Sequence, residues 1–217
     1  MYSLFVLLLA LVGLALTLRA FLQWQLTRSA MILFVLLPLA ALSVELLISG
    51  LAQWLGADRS VSGLLAMPLL VTQITLPLSL FALATLCRRV GFAWAKIDWG
   101  HGALCILAVL LLIYRLPAAL KTSGAQSVPI SAVDWLVFAM YLACGFGLWH
   151  RQRWPWLLAG MVPGMLLLLP LPVGGPLAAW LGRLLMLAAM TVTMMHFTRL
   201  FPVVRKASPV EPGDGSE

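Results

Sequence analysis

Polar residues in this chain come in short clusters, and between them run stretches of roughly 20 apolar residues. Seven such stretches stand out, at about 2–22, 31–54, 61–86, 101–120, 133–149, 156–173 and 176–199. A hydrocarbon core about 30 Å thick is spanned by about 20 residues of helix. The pattern therefore predicts an all-α integral membrane protein, a bundle of seven transmembrane helices over residues 1–200 with no sizeable soluble domain. The first stretch has no basic n-region and is too long for a signal-peptide h-region, so it reads as a helix that stays.

The connections carry the boundary signals. Arg19 and Arg28 bracket the first, "GADRS" (56–60) makes the second and "RRVGFAWAKIDWG" (88–100) the third. "KTSGAQSVP" (121–129), "RQRWP" (151–155) and "PVGGP" (172–176) make the last three. The fourth segment is central, which permits three helices, a linker and three more. No similarity between 1–86 and 133–199 supports a repeat, and the Pro-Gln dipeptide of sugar-transporter repeats is absent.

Composition agrees. A mean hydropathy of +1.04, 63% hydrophobic residues and 10% charged ones fall far from a soluble domain, where about a quarter of residues are charged. The net charge of +7 would suggest nucleic acid in a soluble chain; here the basic clusters sit between apolar runs and read as topology. Alternate connections hold ten Lys and Arg against two, Arg59 and Lys121, on the opposite side. The positive-inside rule then puts the N-terminus outside and the C-terminus in the cytoplasm. Trp54, Trp135 and Trp180 fall at outer ends, and the other six tryptophans at inner ones, as interfacial belts require. The tail, 201–217, is expected to be cytoplasmic and disordered, being rich in Pro, Gly and acid over its last residues. The expected location is a bacterial-type inner membrane, and the expected partners are lipids and a protein in the membrane, not nucleic acid.

Candidate chemistry starts from "ALSVELLISG" (41–50), where Glu45 interrupts an apolar run. Trp54 marks the outer interface nine residues later, so Glu45 lies about 13 Å below it. Arg115 is about 9 Å deep counted from Lys121, and Arg183 about 5 Å deep counted from Trp180. A carboxylate in hydrocarbon is costly unless paired or neutralised. Arg115 and Arg183 are its natural partners, because guanidinium meets carboxylate in a fixed fork.

Two readings follow. In one, Glu45 with Arg115 or Arg183 is an interhelical clamp, and the spare arginine snorkels outward. In the other, one negative and two positive charges leave a net positive pocket for an anionic headgroup, a carboxylated substrate or a partner's acid. Gln73 and Thr72 would line that pocket or serve as helix–helix glue. Pro68 and Pro77 in the third segment, Pro117 in the fourth, and Pro163, Pro170 and Pro172 in the sixth suggest interrupted helices beside a cavity. Gly160-x-x-x-Gly164 suggests close helix packing.

Other chemistry finds little footing. Cys87, Cys105 and Cys144 form no CxxC, and free buried thiols are expected. His101 and Cys105 share a helix face, and His101 with His196 would be the weak candidates for a metal or haem. All three histidines, however, fall at expected inner ends, so no cofactor is expected. The last helix has no lysine for a retinal Schiff base, and neither GxSxG nor HExxH occurs. Glu45 reads as the one acid at membrane depth, with Asp134 near an outer boundary, which leaves no acid pair for proton exchange or lipid hydrolysis. The leading expectation is a non-enzymatic membrane module that binds a partner protein or an amphipathic anionic ligand from the outer leaflet, within a transport or envelope complex. The alternative is a haem- or quinone-binding anchor of an electron-transfer complex.

Overall fold

Leucine-rich runs keep helical backbone bonds internal, and lipid offers those groups no other partner. The computed structural model describes residues 2–56, 62–121, 131–169 and 175–200, and every element in them is a helix. These are α1 (Tyr2–Thr27), α2 (Ala30–Leu55), α3 (Ser62–Val90), α4 (Ala93–Lys96), α5 (Asp98–Lys121), α6 (Ala132–Gln152), α7 (Trp156–Leu168) and α8 (Gly175–Leu200). Six of them, all but α4 and α7, are long and apolar enough to cross a membrane. The segment expected to span 156–173 is helical only over Trp156–Leu168, about 20 Å of rise. The tail 201–217, the connections expected to be outer, at 57–61 and 122–130, and Pro170 and Pro172 lie outside the described residues.

Local chemistry sets several of the helix boundaries. Arg28 takes a left-handed conformation (φ 50°) and returns its N–H to the Trp24 carbonyl at 2.6 Å, so α1 turns into α2 within two residues. Gly56 closes α2 the same way at φ 66°, where glycine has no Cβ to clash. Ser131 and Asp134 form a capping box that starts α6.

The prolines do not break their helices. Backbone helix runs through Pro38, Pro68, Pro77, Pro117 and Pro163, which corrects the expectation of interrupted segments. Each proline still removes one donor. Pro77 thereby strips the Gln73 carbonyl of its partner four residues on.

Contacts run α3–α2–α8–α7–α6 and back to α3, with α1 laid against α2 and α8 and α5 against α3. The core fills this ring with Leu39, Leu42, Leu80, Leu83, Tyr141, Leu148, Met161 and Met190. The Tyr141 hydroxyl donates to the Ser79 carbonyl at 2.8 Å, and the Cys87 and Cys144 sulfurs approach to 3.3 Å. Both contacts tie α6 to α3. The fourth predicted segment, α5, lies at the periphery of the bundle, and Ile106, Leu110, Ile113 and Tyr114 are exposed on it.

α7 runs antiparallel to α8 through glycines. A Cβ on Gly160 would stand 2.9 Å from the Leu185 carbonyl oxygen, and one on Gly164 2.9 Å from that of Gly182. Because backbone cannot move aside like a side-chain tip, Gly164→Ala is expected to destabilise by about 1–3 kcal/mol. Thermal unfolding in detergent checks this against Gly102→Ala, where a Cβ meets nothing within 4 Å. Equal midpoints for the two variants would refute close α7–α8 packing.

Candidate functional site

The C-terminal half of α5, the start of α6 and the start of α8 meet at one end of the bundle, with the middle of α3 beside them. A cavity of about 30 Å³ lies between them, lined by Thr72, Gln73, Arg115, Asp134 and Arg183 over a floor of leucines and Phe138. Arg115, Arg183 and Gln73 therefore share one cavity although they stand on three helices.

The Arg115 partner is Asp134, not Glu45. Nη1 of Arg115 bonds to Oδ1 of Asp134, and Nη2 to Oδ2 at 3.1 Å, with both side chains buried. Asp134 is only 5% exposed, which corrects the reading of Glu45 as the one buried acid. Its position explains why a carboxylate is tolerated. Asp134 is the N3 residue of α6, where the helix dipole favours negative charge. Oδ2 also accepts from the Ser131 N–H at 2.9 Å and the Ser131 hydroxyl at 3.1 Å. Both oxygens of this carboxylate accept, Oδ1 from Arg115 and Oδ2 from Arg115 and Ser131. The sequence signal was present in Ser131-Ala-Val-Asp134, a capping box whose acid turns inward.

Glu45 on α2 is also buried, and its environment is thinner. The Arg183 guanidinium faces it and the Trp180 indole hydrogen-bonds it, yet Oε2 is buried without a hydrogen-bond partner. Two carboxylates and two guanidiniums thus stand together, so the net positive pocket expected from one acid and two bases is replaced by a balanced set. Charge balance offsets part of the desolvation of all four groups. Gln73 is buried, and the Thr72 hydroxyl donates to the Pro68 carbonyl at 2.9 Å. Such a cavity has room for water, since about 10–15 Å³ holds one molecule.

The histidines lie at the other end. His196 stacks on Trp154 with ring centroids 3.7 Å apart, and the Trp154 indole donates to the Thr193 hydroxyl. Nδ1 of His101 is 3.8 Å from the Cys105 sulfur. Among the described residues no group of three or more His, Cys, Asp or Glu could hold a metal ion.

No protein-family model, curated protein or solved structure matches the chain.

Proposed function

We propose that the chain is a non-enzymatic, multi-pass membrane module that binds a partner protein or an amphipathic anionic ligand through the Arg115–Asp134–Arg183–Glu45 centre. The observation that carries this reading is the convergence of Arg115, Arg183 and Gln73 on one otherwise apolar cavity. At about 30 Å³ the cavity has room for roughly two waters. A carboxylate would take the place of two such waters; haem or quinone would not fit there. Arg183 lines the cavity beside the bidentate Arg115–Asp134 pair and is the guanidinium through which a ligand would be recognised.

The reading includes seven crossings, an outer N-terminus, a cytoplasmic C-terminus and a bacterial-type inner membrane. The antiparallel run of α7 along α8 supports a crossing between α6 and α8 despite the short helix. The basic residues support the orientation. Arg88 pairs with Asp98, Arg151 donates to the Gly91 carbonyl, and Arg199 donates to Gln23, all at the end remote from the cavity. Reporter fusions are expected to place 57–60 and 122–130 outside, and 90–98 and 207–217 inside. A C-terminal reporter in the outer compartment would overturn the orientation.

For binding, the purified protein in nanodiscs is to be titrated with a long-chain fatty acid and the matching alcohol while unfolding is followed by tryptophan fluorescence. Stabilisation by the acid alone, lost in Arg183→Gln, is expected. Equal shifts from acid and alcohol would count against an anion site.

A further inference from the structure

At the opposite end of the bundle, the two-residue turn between α1 and α2 forms a second cavity, of about 150 Å³. Its lining is Arg28, Ser29, Ala30, Met31, Phe34, Phe81, Thr85 and Arg89, and none of these is acidic. Ser29 is the residue that should cap α2, since its backbone is extended and its hydroxyl belongs to a favoured N-cap type. It makes no cap. The residue is 4% exposed and its Oγ has no hydrogen-bond partner, a state that carries a free-energy penalty unless something else supplies the acceptor.

The groups around that hydroxyl specify what would supply it. Ala30 and Met31 open a 26-residue helix, and their N–H groups have no acceptor within it. The positive end of the helix dipole therefore points where Ser29 sits. Arg28 and Arg89 line the cavity from two different helix ends, the former with its guanidinium 5.3 Å from the Trp24 ring centroid. The Thr85 hydroxyl is committed to the Phe81 carbonyl at 2.9 Å, so it can only accept. The remaining wall is apolar, with the Phe34 and Phe81 rings 5.6 Å apart.

We infer that this turn is a binding site for an anionic phosphate group, with Ser29 Oγ and the first N–H groups of α2 donating to its oxygens and Arg28 and Arg89 balancing its charge. Phosphate offers several acceptor oxygens at once, which matches a cluster made of donors and cations. The apolar wall beside the cations suits the glycerol and first acyl carbons of a phospholipid, so an acidic phospholipid headgroup is the ligand of choice and free phosphate the simpler source of the same chemistry. The site is remote from the Arg115–Asp134 cavity and does not depend on which side of the membrane either end faces.

The test is thermal unfolding of the full chain in detergent, read by tryptophan fluorescence, with added phosphatidylglycerol, phosphatidylcholine or inorganic phosphate. Phosphatidylglycerol is expected to raise the midpoint, and phosphatidylcholine to leave it where detergent alone does. Arg28→Gln or Arg89→Gln should weaken the apparent affinity about tenfold or more, the loss of one charge-assisted hydrogen bond. Ser29→Ala deletes a single oxygen and spares the fold should either arginine variant fail to assemble; it should weaken binding about three- to tenfold. Arg153→Gln removes an exposed charge outside the cavity and should change nothing. A matching shift from inorganic phosphate, lost in the same variants, would support the site and assign it to free phosphate. Equal shifts from the two lipids, or unchanged affinity in the Arg28, Ser29 and Arg89 variants, would overturn it.

Discussion

Asp134→Asn is expected to destabilise the protein by about 3–5 kcal/mol, the usual result of removing one partner from a buried ion pair. The asparagine keeps one oxygen for Ser131 but leaves the buried Arg115 guanidinium without a counter-charge. Adding Arg115→Met should recover most of the loss, because an apolar side chain of similar length removes the stranded charge. Ser131→Ala by itself should cost about 1 kcal/mol, the worth of a cap. Unfolding of the purified variants in detergent measures all three. Should Asp134→Asn unfold with the wild type, the pair would be solvent-screened and the polar centre no part of the buried bundle.

The second large effect belongs to Glu45. Glu45→Gln is expected to destabilise as well, by less than Asp134→Asn. Arg183 is half-buried, and its long chain can carry the charge toward the headgroups when the carboxylate goes. Glu45→Gln with Arg183→Met should restore stability. Fatty-acid-dependent stabilisation then separates clamp from site. If stability returns in the double variant and ligand stabilisation does not, the charges form a binding site; if both return, they only brace α2 against α8. A single Glu45→Gln variant with unaltered stability and unaltered ligand response would remove the main support for the proposed function.

What could be read from the chain in advance follows from the solvent it occupies. Lipid leaves every backbone group to be satisfied internally, so apolar length alone marks α1, α2, α3, α5, α6 and α8 within a few residues. The same medium penalises charge, so Glu45, Arg115, Arg183 and Gln73 stand out from their runs without reference to any fold. Even α7 carried its limit in the sequence. Pro170 disfavours helical backbone at Leu169, and the described helix ends at Leu168.

Partner choice could not be read that way. These helices are apolar nearly all round, so no stripe tells which face turns inward. Arg115 had acids available at 45 and 134, on different helices, and depth along the axis did not discriminate between them. Only the packing order did, by setting both α5 and α6 against α3 so that Arg115 reaches the start of α6, and leaving Glu45 to Arg183 and Trp180. That seating turned a presumed boundary residue into a buried one and a net positive pocket into a balanced one. It also brought Cys87 to Cys144 across 57 residues of chain. Spans and buried charges are properties of single segments in a low dielectric, legible one segment at a time. Pairings and cavities belong to the contacts between segments, and such contacts rest on close fit, as of Gly160 and Gly164 against α8, which hydropathy does not encode.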